Sequence, residues 1–213
     1  MEQQRQQNGP ARRFDRPPVP DNGLYSFGNE HDACGVGMVA DLNNVPSHKI
    51  VTMGLTVLKR LMHRGAAGGD PDTGDGAGLL LSMPDEFFRK TVAGLPEPGG
   101  YGVAMIFGGI GREADIERIV AAEGGRVIAW REVPTVPGEI GRAARESCPA
   151  IRQLFIGGEA FADRAAFERK LFVMRRLIEK TLPEAYVCSM SGRSIVYKGL
   201  LLATQLEKFY TDL

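Results

Sequence analysis

The sequence predicts a layered α+β domain that contains antiparallel strands. Helix-like and strand-like segments alternate along most of the 213 residues, which is typical of helices packed on a sheet. In addition, YVCSMSGRSIVYKG at 186–199 has two strand-like halves around Ser191 and Gly192, the pattern of a β-hairpin. Because hairpin strands run antiparallel, the alternation does not require a doubly wound parallel sheet.

The first predicted elements follow a polar, proline-rich segment. Residues 1–33 are predicted to be a leader, and the folded domain is predicted to span 34–213. The alternation in CGVGMVAD at 34–41 predicts the first strand. One face of this strand would carry Val36, Met38 and Ala40.

A long helix is predicted next. It would begin after the N-cap Ser47 and end near Gly65. Apolar residues recur within it at helical spacing: Ile50, Met53, Val57, Leu58 and Leu61. The following HRGAAGGDPDTGDGAG is too rich in glycine for a helix, and GLLLSMP after it is a short strand pattern.

The remaining predicted elements alternate between helices and strands. Helices are predicted at 85–93, 112–123, 139–146 and 164–182, and strands at 101–107, 126–133 and 151–156. The last stretch, LLLATQLEKFYTDL, is predicted to begin a helix.

Composition excludes several classes of protein. The 26 Lys and Arg residues balance the 26 Asp and Glu residues, so there is no basic excess for nucleic acid. No apolar run approaches the roughly 20 residues of a membrane span, and no secretory signal is present. The three cysteines are far apart and form no CxxC, which argues against a disulfide framework, a zinc site or a self-contained iron–sulfur site. We therefore expect a cytoplasmic protein that binds no metal, nucleic acid or membrane.

Cys34 is the candidate catalytic nucleophile. A thiol with an ordinary pKa of about 8.5 is mostly protonated at neutral pH. Cleavage between Ala33 and Cys34 would free an α-amine with a pKa of about 7.7–8.0, which suits a general base. Gly35 and Gly37 would then let a substrate approach the backbone. The alternative interpretation is a buried strand cysteine followed by glycines that mark a bulge or a tight packing contact.

Three stretches together resemble the glutaminase domain of the glutamate synthase large subunit, a class II glutamine amidotransferase. They are EHDACGVGMVAD, LKRLMHRGAAGGDPDTGDGAGLLLSMP and YVCSMSGRSIVYKGLLLATQLEKFYTDL, and the likeness runs from about Tyr25 to Leu213. The resemblance implies the N-terminal-nucleophile hydrolase fold, a four-layer αββα sandwich of two mainly antiparallel sheets between helical layers. It also implies that Cys34 attacks the side-chain amide of glutamine, releases ammonia and leaves a glutamyl thioester that water hydrolyses to glutamate.

The same resemblance implies partners and cofactors for a complete enzyme. Ammonia would pass to a synthase domain, which carries flavin mononucleotide and an iron–sulfur cluster, and would react there with 2-oxoglutarate. Nothing in the sequence resembles that domain, so no cofactor is expected in this chain. Glutamine and the remaining glutamate synthase chain or domains are the expected partners.

Two motifs of the family do not occur in the sequence. The family takes its oxyanion donors from His-Asn-Gly-Glu and a carboxylate-binding arginine from Arg-Phe-Ser-Thr. The Asn-Gly pairs of this chain, at 8–9 and 22–23, both lie in the predicted leader. We therefore expect a C-terminally truncated domain with an incomplete sandwich, and we assign no substrate-binding residue. Gly69 stands where the family usually has alanine.

Other interpretations stay open. Another class II amidotransferase, such as an amidophosphoribosyltransferase, also pairs Cys-Gly with a later His-Arg-Gly, but glutamine follows that motif there. An inactive fragment that acts only as a binding partner is the non-enzymatic alternative.

The remaining candidate residues receive structural interpretations. An EF-hand starting at Asp70 fails because its twelfth position is Leu81, so GGDPDTGDGAG at 68–78 is predicted to be a structural loop near the glutamine pocket. His63 is predicted to cap a helix and Arg64 to form an ion pair. His31 lies in the predicted leader, and Cys148 and Cys188 are predicted to be inert.

Overall fold

The computed structural model describes residues 34–213. The predicted leader and His31 lie outside the described residues. The helices are α1 His48–Arg60, α2 Asp85–Thr91, α3 Glu113–Ala122, α4 Arg142–Glu146, α5 Arg164–Thr181 and α6 Leu206–Phe209, with 3-10 turns at Met62–Arg64 and Pro137–Glu139. The strands are β1 Ala77–Ser82, β2 Tyr101–Gly108, β3 Arg126–Glu132, β4 Ile151–Gly157, β5 Ala185–Ser191 and β6 Ser194–Gly199.

The six strands form two sheets. One has four strands in the order β3-β4-β2-β5, and the other pairs β1 with β6. Every pairing is antiparallel. Mixed helices and antiparallel strands are therefore confirmed, and residues Gly35–Leu213 form one compact unit.

The central strands β2 and β4 are buried on both faces, which explains their nearly continuous apolar sequence. One face packs on α3 and α5 in a core formed mainly by Ala104, Ile106, Ile116, Val120, Leu154, Ile156, Leu171, Met174 and Ile178. The other face belongs to a second core that includes Leu55, Val103, Met105, Phe155, Ile195 and Tyr197. This second core joins the four-stranded sheet to α1, β1 and β6.

The predicted hairpin at 186–199 is wrong in its pairing. Both strands and the turn exist, but β5 pairs with β2 whereas β6 pairs with β1. The chain therefore passes from one sheet to the other at Gly192, whose N–H donates to a carboxylate oxygen of Glu168 at 2.9 Å. The local pattern specifies two strands and a turn, but strand partners are selected by the long-range packing of each face.

The predicted strand at 34–41 is also wrong. This segment has no ladder partner within residues 34–213. Val36 and Met38 are 87% and 89% exposed, and Ala40 is exposed as well. Alternating apolar residues indicate a strand only where a neighbouring strand and a covered face are available.

The helix predictions differ from the structure mainly at the ends. The long helix after Ser47 is α1 followed by a 3-10 turn, and its one buried residue is Leu55, which lies outside the predicted apolar set. The helix predicted at 139–146 divides into a 3-10 turn and α4, and the last helix is a single turn. None of the helices in residues 34–213 has the length and apolar character that crossing a membrane requires.

Candidate active site

The segment that begins at Cys34 leaves the cysteine exposed and packs on α1 through its glycines. The Cys34 thiol is free and exposed, not buried in a strand. The glycines after it do mark a tight packing contact. A Cβ atom at Gly37 would lie 2.3 Å from Cγ1 of Val57, and one at Gly35 would lie 3.0 Å from Cβ of Arg64. Packing on α1 therefore excludes a side chain at residue 37, and the contact at residue 35 is tight.

The turn after α1 holds two further candidate residues, His63 and Arg64. Nδ1 of His63 lies 3.1 Å from the carbonyl oxygen of Arg60, so in the Nδ1–H tautomer it donates to the last turn of α1. This is the capping role predicted from the sequence. Within residues 34–213 the Arg64 guanidinium forms no ion pair, so the predicted pair is not found there.

The glycine- and aspartate-rich loop at 66–76 caps a distant helix. The Asp70 carboxylate accepts hydrogen bonds from the Thr73 hydroxyl at 2.7 Å, from the N–H of Asp72 at 3.1 Å and from the N–H of Ala143 at 3.0 Å. Oγ1 of Thr73 accepts from the N–H of Ala144 at 3.3 Å. The N–H groups of Ala143 and Ala144 belong to the first turn of α4, where intrahelical partners are missing. The predicted structural role of the loop is confirmed.

These contacts favour the charged form of Asp70. The N–H of Ala143, followed by the hydroxyl of Thr73, lowers the pKa of the Asp70 carboxyl below its ordinary value. The cap is consequently formed by a carboxylate at neutral pH.

The same loop contacts the C-terminal part of the chain. A Cβ atom at Gly74 would lie 2.3 Å from the carbonyl oxygen of Leu201. Nε2 of Gln205 donates to the carbonyl oxygen of Asp72 at 2.8 Å. The loop therefore connects α4 to the segment before α6. Within residues 34–213 no group of three or more His, Cys, Asp and Glu side chains is placed to hold a metal ion.

A cavity of about 680 Å³ lies beside this loop. Its wall is formed by parts of β1, β6, α4 and α6 and is largely apolar, with Asp75 and Lys198 as its charged residues. Nζ of Lys198 already donates to the Tyr186 hydroxyl at 2.6 Å. An amino acid substrate needs several polar partners for its two charged groups, so this wall does not form a glutamine site by itself.

A network of buried polar side chains fixes the last residues of the chain. The Arg131 guanidinium binds both carboxylate oxygens of Asp212, at 2.7 and 2.8 Å. Arg131 also donates to Oε1 of Gln153 at 2.9 Å, and Gln153 donates to the Tyr197 hydroxyl at 3.1 Å. Tyr197 closes the ring by donating to Asp212 at 3.2 Å. The ring connects β3, β4 and β6 to the segment after α6.

Comparison with known proteins identifies the family. The family model described as glutamine amidotransferases class-II matches residues 34–213. The chain belongs to this family.

Relatives of this class-II amidotransferase domain include large glutamate synthase chains. The glutamate synthase [NADPH] large chain of Bacillus subtilis is 46% identical over 204 residues, which are 90% of this chain and 13% of the relative. Ferredoxin-dependent glutamate synthase 1 of Arabidopsis thaliana is 40% identical over 214 residues, 93% of this chain and 13% of the relative. The glutamate synthase [NADPH] large chain of Azospirillum brasilense is 36% identical over 204 residues, which are 89% of this chain and 14% of the relative. The chain thus spans about an eighth of each relative's length.

The other two cysteines of the amidotransferase domain are poor nucleophiles. Burial raises the pKa of the Cys188 thiol to about 11. Partial burial also raises the pKa of the Cys148 thiol. Both therefore remain protonated near neutral pH, as expected of inert thiols.

Sequence reasoning missed two features of the domain. The capping of α4 by Asp70 was hidden because its partner Ala143 is 73 positions away. The spacing of Asp70 and Thr73 does carry the local signal of a turn in which a side chain binds backbone N–H groups. The ring around Arg131 and Asp212 has no local signal, since its four members come from four separate segments.

Proposed function

We propose that this domain is the glutaminase region of a glutamate synthase, and that Cys34 is its nucleophile. The observation that carries the proposal is the 46% identity to a glutamate synthase large chain over 90% of this chain. Two further observations support Cys34: the family match begins at this residue, and its thiol is exposed.

The proposed reaction begins with release of Cys34 as the first residue of the mature chain. Its α-amine takes the thiol proton, and the thiolate forms a bond to the amide carbon of the glutamine side chain. As the carbon–nitrogen bond breaks, the amine returns the proton to the leaving ammonia. Water then hydrolyses the thioester, giving glutamate and the free thiol. The cleavage after Ala33 stays a prediction.

The negative intermediate of this reaction requires hydrogen-bond donors. Loss of one such donor typically costs about 10²–10³ in rate. We assign these donors, and the group that binds the substrate carboxylate, to polypeptide outside residues 34–213. The short span of this chain relative to its relatives supports that assignment.

The same proposal extends to the fold and the partners. A complete domain would be the four-layer αββα sandwich, which is supported by α3 and α5 on one face of the larger sheet and by the second sheet with α1 on the other. The ammonia would react with 2-oxoglutarate in the remaining synthase region, which would carry the flavin and the iron–sulfur cluster. The predicted cytoplasmic location stays a prediction.

The test is a glutaminase assay of the longest native polypeptide that contains residues 1–213. Cys34→Ala should lower glutamine hydrolysis by more than about 10³-fold, because removal of a covalent nucleophile leaves only binding and electrostatic effects. Cys148→Ala is the matched control and should retain activity within about twofold, given that an exchange of a half-buried thiol for a methyl group is a small change. Retained activity in Cys34→Ala would refute the proposed nucleophile.

A further inference from the structure

The backbone after Cys34 rests against a tight surface formed by α1 and the turn that follows it. We call this surface, formed by Val57, Leu61 and Arg64, the glycine seat. A Cβ atom at Gly37 would lie 2.3 Å from Cγ1 of Val57 and 3.8 Å from Cδ1 of Leu61. At Gly35 the corresponding distances are 3.0 Å to Cβ of Arg64 and 3.5 Å to Cβ of Leu61.

The Cβ distances at the glycines, together with the exposure of the apolar side chains, show which face meets the seat. Side chains of an extended chain alternate between two faces. The face with the large apolar side chains, Val36 and Met38, is 87% and 89% exposed. The opposite face, with Gly35 and Gly37, lies against the seat although both glycines keep exposed surface, and Val39 on the same face is half-buried. The glycine face, rather than the apolar face predicted from the sequence, is thus the one in contact.

We propose that Val57 and Leu61 are positioning residues for the nucleophile. The inference rests on the proposed function. Residue 34 is bonded directly to Gly35, so the position of the Gly35–Gly37 backbone sets the origin of the nucleophile's side chain. No ladder holds this backbone within residues 34–213, and the seat provides the contacts that do. A displacement of about 1 Å at a reacting group can cost about 10²-fold in rate.

Val57 makes the seat rigid. A β-branched side chain in a helix has one strongly preferred rotamer, so its Cγ1 does not readily rotate away. A methyl group at residue 37 would approach Cγ1 to 2.3 Å, whereas ordinary contacts begin at 3.4 Å. The backbone must therefore move by about 1 Å to admit that methyl group, and removal of Cγ1 should make room for it.

The experiment is a rescue series on the native polypeptide: Gly37→Ala, Val57→Ala and the double variant. The readout is the rate at which 6-diazo-5-oxonorleucine, an electrophilic glutamine analogue, labels Cys34. Gly37→Ala should slow labelling at least about tenfold. The double variant should recover to within about threefold of the parent, since the methyl group introduced by Gly37→Ala occupies the space that Val57→Ala vacates.

Two controls distinguish a displaced Cys34 from a general effect of a glycine-to-alanine change and from a general loss of thiol reactivity. Gly69→Ala should label at the parent rate, because nothing lies within 4 Å of a Cβ atom at that position. Iodoacetamide, which requires only an accessible thiol, should alkylate Cys34 at similar rates in all variants. Fast analogue labelling of Gly37→Ala, or no recovery in the double variant, would overturn the proposed seat.

The outcomes also distinguish this inference from the proposed function. If the parent protein is not labelled by the analogue, the proposed function fails. The seat is then judged by amide hydrogen exchange of the peptide that contains residues 35–40. Faster exchange in Gly37→Ala with recovery in the double variant supports the seat, whereas equal exchange in all three overturns it.

Discussion

At the scale of single residues, local environment separates the three cysteines. Cys34 is exposed, while burial raises the pKa of the Cys188 and Cys148 thiols. The sequence alone singled out Cys34 as the candidate nucleophile because a glycine-rich segment and a family pattern surround it. It offered a tight contact at the glycines as one interpretation but did not reveal Val57 as the partner, because Val57 is 20 positions further along the chain.

The pair formed by Arg131 and Asp212 is a residue-scale test of the buried polar ring. The side chains of the two residues are only 15% and 4% exposed. Asp212→Asn removes the charge that compensates the guanidinium, which should lower the free energy of unfolding by about 3 kcal/mol. Chemical denaturation measures this difference.

The matched control is Glu146→Gln, which removes the charge of a carboxylate in an exposed ion pair. Arg142 and Glu146 are 3.9 Å apart, and their side chains are 81% and 70% exposed. Glu146→Gln should change stability by less than about 0.5 kcal/mol. Equal effects of Asp212→Asn and Glu146→Gln would contradict the assignment of a buried structural pair.

At the scale of elements, the sequence predicted helices and strands better than their partners. Most helices and strands after residue 47 lie close to where hydrophobic periodicity placed them. The pairing of β5 with β2 and of β6 with β1 was not predictable, because both strands carry apolar residues suited to either sheet. The segment at 34–41 has the period of a strand, yet it makes no ladder within residues 34–213. The hydrophobic pattern of a segment therefore indicates an extended conformation, whereas its pairing depends on which other strands lie beside it.

The cap of α4 provides an element-scale prediction with a defined pH dependence. Because the folded-state pKa of Asp70 is lowered, its contribution to stability is present above the unfolded pKa of about 3.9 and is lost as pH falls through the folded value. Asp70→Asn should therefore lower the Tm at pH 7, and this difference from the parent should shrink at about pH 3.

Asp72→Asn is the control for the cap because it makes the same change in the same loop. Within residues 34–213 the Asp72 carboxylate accepts no hydrogen bond; this residue contributes its backbone groups instead. Thermal unfolding followed by circular dichroism at both pH values should show little effect of Asp72→Asn. A Tm difference for Asp70→Asn that is the same at pH 7 and pH 3 would contradict the carboxylate cap.

At the scale of the whole molecule, two sets of hydrogen bonds connect parts of the chain that are distant in sequence. The loop at 66–76 joins α4 and the segment before α6, and the ring around Asp212 joins the last residues to the four-stranded sheet. The family resemblance predicted two mainly antiparallel sheets, and two antiparallel sheets are present. The glutamine-binding groups could not be assigned from sequence, and the largely apolar cavity beside β1 does not provide them.

The central claim is that Cys34 becomes the first residue of the mature chain and reacts with glutamine. The most direct test is mass spectrometry of the purified native polypeptide before and after exposure to 6-diazo-5-oxonorleucine, with peptide mapping of the adduct. The account predicts a chain that starts at Cys34 and carries a single adduct on that residue. A folded protein that retains residues 1–33 and an unlabelled Cys34 would contradict it.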